Sequence, residues 1–109
     1  MSKTDLVYIK DIQQSVEKII EYTLGISYDE FSENVEKQDA IIRRFQIIGE
    51  AAGKLSQGFK NKYPEFPARE AKGMRNILVH EYNEVQLEDL WEAITVDIPR
   101  LQSLINEIE

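Results

Sequence analysis

A chain of 109 residues has room for one compact domain, because two independent cores of half this size would not hold together. With 42% hydrophobic and 30% charged residues it is composed like an ordinary globular protein, and its lack of cysteine excludes disulfide frameworks, zinc–thiolate sites, iron–sulfur clusters and cysteine nucleophiles. A single histidine leaves little for a protein-only metal site, and a net charge of -7 argues against indiscriminate nucleic-acid binding, whose affinity comes from neutralising phosphates.

Apolar residues recur with helical spacing and no stretch alternates as a strand would, which predicts an all-α antiparallel bundle of about four to five helices. Thr4 can cap a first helix from about Asp5, with Leu6, Ile9, Val16, Ile19 and Leu24 along its buried stripe and Gly25 placed to end it. Ser27 and Glu30 have capping-box spacing, predicting a short second helix through Phe31 to Asn34. From about Lys37 to Lys60, Ile41, Phe45, Ile48, Ala52, Leu55 and Phe59 recur at alternating steps of four and three, the seam of one long helix lying along another. Small Gly49, Ala51, Ala52 and Gly53 permit close backbone approach there.

Tyr63-Pro64 and Phe66-Pro67 then break the chain, and Pro67 suits the first position of a fourth helix through Ala71, Met74, Leu78 and Val79. After Tyr82 and Asn83, a last helix from about Leu87 carries Leu90, Trp91, Ile94, Ile98, Leu101, Leu104, Ile105 and Ile108, with Pro99 expected to kink it. There is no internal repeat, low-complexity tract or flexible linker, so residues 1–109 are expected to form a single domain.

Charge is unevenly distributed. Met1 to Gly53 carries 6 basic and 10 acidic residues, Lys54 to His80 carries 6 and 2, and Glu81 to Glu109 carries 1 and 8. The basic middle, with Lys54, Lys60, Lys62, Arg69, Lys72 and Arg75, is either a local docking surface for a polyanion or a solvated charged face. No apolar run reaches transmembrane length, and charges in the opening MSKTDLVYIKD stand where a secretory signal needs an unbroken apolar core. The expected location is the cytoplasm, away from the membrane.

The segment richest in chemistry is Gly73-Met74-Arg75-Asn76-Ile77-Leu78-Val79-His80-Glu81-Tyr82. At about 100° per residue, Asn76 and His80 share one helix face, so the amide can orient the imidazole. Arg75 lies roughly 140° around the axis from His80, so the two converge on one small group only through a bend or a second copy of the helix, which a symmetric dimer supplies. An imidazole of pKa about 6.5 can take the proton of a ribose 2'-hydroxyl while a guanidinium holds the phosphate, a sufficient kit for cutting RNA without a metal. By residue type alone the signal is weak, because a single histidine near a helix end more often caps carbonyls or packs quietly.

The pattern Arg75, four residues, His80, one residue, Tyr82 resembles that of the HepT-like toxins of the HEPN superfamily. Gln38-Asp39-Ala40-Ile41-Ile42-Arg43, Ile47-Ile48-Gly49-Glu50-Ala51-Ala52, Tyr63-Pro64-Glu65, Gly73-Met74-Arg75 and Trp91-Glu92 extend the likeness over almost the whole chain. The resemblance implies a helical homodimer in which the motifs of both subunits meet in a cleft. Arg75 and His80 would be catalytic and Asn76 supporting, in metal-independent endoribonuclease cleavage of mRNA or tRNA with no cofactor.

It also implies a partner, a minimal nucleotidyltransferase antitoxin of the MntA type, which uses ATP and magnesium to place AMP on the motif tyrosine, here Tyr82. Bulky anionic adenylates beside the cleft would repel and exclude RNA phosphates. Read without the resemblance, Tyr82 is an amphipathic ring at a helix end. Arg43 and Glu50, seven residues apart and facing one way on the long helix, are candidates either to brace the site or to form a weak surface ion pair. A non-catalytic HEPN module that binds a nucleotide or a protein would have the same fold, and the acidic net charge is compatible with it.

Overall fold

In the computed structural model, which describes residues 1–66 and 86–108, the first helix begins two residues earlier than its sequence signal. α1 (Lys3–Thr23) is capped by Ser2, whose hydroxyl accepts the Asp5 N–H at 3.0 Å, so the cap is Ser2 and not Thr4. Its buried stripe runs through Asp5, Ile9, Ile12, Val16 and Ile19, in steps of four and three. Leu6 (42% exposed) and Leu24 (79% exposed) fall outside the core, contrary to expectation. Each lies about 100° around the axis from that stripe, so the face is decided by position and not by the apolarity of single residues. Gly25 ends the helix as expected, with a φ of 74° that a side chain would resist.

α2 (Tyr28–Glu33) has the anticipated capping box. Ser27 Oγ accepts the Glu30 N–H and Glu30 Oε1 accepts the Ser27 N–H. Phe31 on this short helix is fully buried. α3 (Val35–Gly53) follows at once, capped by the Asn34 side chain on the Lys37 N–H. Gln38 enters the interior because its amide nitrogen donates to the Phe31 and Ser32 carbonyls at 2.8 and 3.1 Å, satisfying the end of α2.

The expected long helix from Lys37 to Lys60 is two helices. α3 stops at Gly53 and α4 (Gln57–Lys62) restarts behind Ser56, whose Oγ accepts the Phe59 N–H at 3.0 Å. All six seam residues from Ile41 to Phe59 are nevertheless buried. A good N-cap at Ser56 breaks the backbone ladder while keeping the apolar face in register, so periodicity runs across the break. Asp5, near the start of α1, bonds Ser56, just past the end of α3, so these two helices run antiparallel. They share one apolar core, with buried Gly49, Ala51 and Ala52 at the α4 end.

The last expected helix has three segments: α5 (Leu87–Glu92), a π-helical turn (Ala93–Asp97) and α6 (Ile98–Asn106). Pro99, second residue of α6, has no N–H to continue the ladder, and the Ile98 N–H instead reaches five residues back to the Ala93 carbonyl. The expected kink is thus a widened turn. Its apolar set is buried or half-buried throughout, and Trp91 packs against Phe31 and Tyr28 with ring centroids at 5.1 and 5.9 Å. All regular structure among the described residues is helical, and no helix among them is long and apolar enough to cross a membrane.

Candidate functional site

Arg75, Asn76, His80 and Tyr82 lie outside the described residues, as do Arg69, Lys72 and the expected fourth helix from Pro67 through Val79. The structure defines what flanks this stretch in the chain. Phe66 is buried, its N–H donates to the Tyr63 carbonyl at 3.0 Å, and its ring meets Phe59 edge-on at 5.3 Å. On the far side Gln86 caps α5 through its carbonyl, which accepts the Leu90 N–H at 3.1 Å. The motif is therefore tethered at one end to the α4 side of the core and at the other to α5.

The α4 end is organised by a buried carboxylate. Asp5 (3% exposed) accepts the Ser56 N–H at 2.9 Å on one oxygen and the Ser56 hydroxyl at 2.6 Å on the other. These bonds from Ser56 stabilise the charged form and hold its pKa below the usual carboxylate range, against the opposing effect of burial. Sequence reading missed this link, although Asp5 stands four residues before Ile9 on the core stripe and Ser56 three before Phe59, the spacing of an N-cap.

Of the basic middle, the described members Lys54 and Lys62 are exposed and Lys60 is half-buried. Two rest on aromatic faces: the Lys54 ammonium lies 5.9 Å from the Tyr8 ring centre and that of Lys62 lies 5.5 Å from the Tyr63 ring centre. Two hollows meet at Lys62 and Tyr63. One of about 280 Å³ lies among Met1, Ser2, Asp5, Ser56 and Phe59. Another of about 200 Å³ lies between the Lys62–Phe66 turn and Leu104, Glu107 and Ile108. The Tyr63 hydroxyl is buried with no hydrogen-bond partner among the described residues.

Arg43 and Glu50 are exposed on α3 and form no ion pair with each other. An ion pair of α1 joins Lys18 and Glu21 at 3.6 Å. Tyr28 is held neutral, its phenol pushed up first by burial and then by the neighbouring Glu88 carboxylate. Among the described residues no three His, Cys, Asp or Glu side chains gather as metal ligands.

The family model described as ribonuclease HepT-like matches residues 12–108, from the middle of α1 to beyond the end of α6 and across the whole Arg75–Tyr82 motif. The chain belongs to the HepT-like family. This HepT-like chain is 38% identical over 103 residues to a candidate RNase of Methanocaldococcus jannaschii, covering 94% of each. It is 35% identical over 108 residues to the probable ribonuclease HepT of Thermococcus cleftensis, covering 99% of this chain and 98% of that one. A second M. jannaschii protein, named as a gamma-glutamylcyclotransferase and candidate RNase, is 41% identical over 108 residues. The HepT-like chain spans about half of that longer protein, 49% of its length. No solved structure matches the chain.

Proposed function

We propose that this single-domain HepT-like chain is a cytoplasmic endoribonuclease toxin that cuts mRNA or tRNA without a metal, as a homodimer. The observation that carries this reading is the family match over residues 12–108, which contains an intact Arg75, Asn76, His80 and Tyr82, together with relatives named as ribonucleases. His80 takes the proton from a ribose 2'-hydroxyl, and the freed oxygen attacks the adjacent phosphorus. The bond to the 5'-oxygen breaks, that oxygen is protonated, and the products are a 2',3'-cyclic phosphate and a 5'-hydroxyl. Arg75 holds the phosphoryl oxygens as charge builds on them, and Asn76 orients the imidazole from one turn away.

Regulation falls to Tyr82. An MntA-type nucleotidyltransferase attaches AMP to its phenol and so loads the RNA path with negative charge and bulk. Expressed alone, the wild-type chain arrests growth and His80→Ala does not. Expressed with an MntA-type nucleotidyltransferase, its intact mass rises by whole adenylate increments that Tyr82→Phe abolishes. An unchanged mass would remove the modification, and toxicity that persists in His80→Ala would remove the catalytic assignment.

A further inference from the structure

The Tyr63-Pro64-Glu65 block has no part in the chemistry proposed above, yet it forms a wall of the hollow of about 200 Å³ that faces the last turn of α6. That hollow is smaller than the roughly 300–1,000 Å³ of pockets for drug-sized ligands, so a single planar ring system is the scale it suits. Its apolar lining is Tyr63, Pro64, Phe66, Leu104 and Ile108, and its polar groups are one ammonium, Lys62, and two carboxylates, Glu65 and Glu107.

From this juxtaposition we propose that the hollow between the Lys62–Phe66 turn and the end of α6 is a subsite for one base of an RNA substrate, with Lys62 on the adjoining phosphate and Glu65 and Glu107 favouring bases that carry an amino group. The assignment rests on the RNA-cleaving reading above. A phosphate is not the occupant, because two ionised carboxylates can only accept hydrogen bonds and would repel it. They do suit the amino edges of adenine, cytosine and guanine, whereas uracil presents carbonyl oxygens and a single N–H. Lys62 is exposed and, among the described residues, rests on the Tyr63 ring, so a nucleotide can exchange with it, the ammonium moving to the phosphate and the ring face passing to the base. In an acidic chain, this places the cation where the strand is anionic and the carboxylates where it offers donors.

The test uses the full-length His80→Ala protein and fluorescein-labelled oligoadenylate, oligocytidylate and oligouridylate of about twelve nucleotides, read by anisotropy. Adenine and cytosine strands bind about tenfold tighter than uracil strands, the scale of one hydrogen bond to a charged group. Glu65→Gln with Glu107→Gln brings the ratio toward one, since an amide can donate to uracil. Lys62→Ala weakens all three strands alike and lowers the slope of log K against log salt by about 0.7. Equal binding of the three strands, no binding of any, or an unchanged ratio in the double variant overturns the subsite. Cleavage by the wild-type chain is scored separately. Discrimination without cleavage leaves the subsite and removes the nuclease, while cleavage indifferent to Lys62, Glu65 and Glu107 does the reverse.

Discussion

The α1–α3 pair and the segments α4 to α6 are built on opposite plans. α1 and α3 run uninterrupted for 21 and 19 residues, and their facing residues Ile12, Ile19, Ile41, Phe45 and Ile48 are at most 1% exposed. Elsewhere α4 and α5 have six residues each, Ser56 restarts one helix, Pro99 widens another into a π turn, and two hollows open beside exposed Lys62. Both sets draw on one continuous core, so the difference lies in the backbone. Long unbroken helices give a rigid frame, while interrupting residues shape the segments that precede and follow residues 67–85 in the chain.

The contrast can be broken most severely from the rigid side. Phe45→Ala removes a fully buried ring and is expected to cost about 3–5 kcal/mol in denaturant unfolding, enough to leave a small domain marginal. Ile19→Ala follows, at about 2–5 kcal/mol. In the interrupted segments, Ser56→Ala loses a helix cap, about 1 kcal/mol, and also takes from Asp5 its hydroxyl donor.

Asp5 sharpens the comparison through pH. Its folded pKa is depressed, so its stabilisation is complete above the ordinary carboxylate pKa of about 3.9 and is lost as pH falls through the lower folded value. Between neutral pH and pH 3 the unfolding midpoint of the wild-type chain should therefore fall more steeply than that of Asp5→Asn. The smallest effect is expected at Leu24→Ser, within about 0.5 kcal/mol, because this leucine at the end of α1 is mostly exposed. A large loss there would mean that Leu24 is covered by something else.

These two plans also explain what could be read from the sequence. Where one signal acts alone the reading is close: the Ser27–Glu30 capping box fixed α2 to within a residue, and Gly25 ended α1. Where a polar residue occupies a core position, apolarity misleads. Asp5 sits on the buried stripe because Ser56 satisfies it, and Leu6 beside it is turned away. The break before α4 was hidden because Ser56 interrupts the hydrogen-bond ladder without disturbing the apolar repeat. Pro99 announced a kink, but its form as a π turn depends on which carbonyl the Ile98 N–H finds, a tertiary choice. Arg75, Asn76, His80 and Tyr82 lie outside the described residues, and the roles proposed for them rest on the motif's spacing and its resemblance to the family.

The nuclease assignment is tested most directly by the chemistry of the RNA ends. Purified, unmodified protein incubated with cellular RNA in excess EDTA should yield fragments ending in 2',3'-cyclic phosphate and 5'-hydroxyl groups, and His80→Ala and Arg75→Ala should yield none. Fragments that appear only when a divalent metal is added back, or equally with His80→Ala, would contradict it.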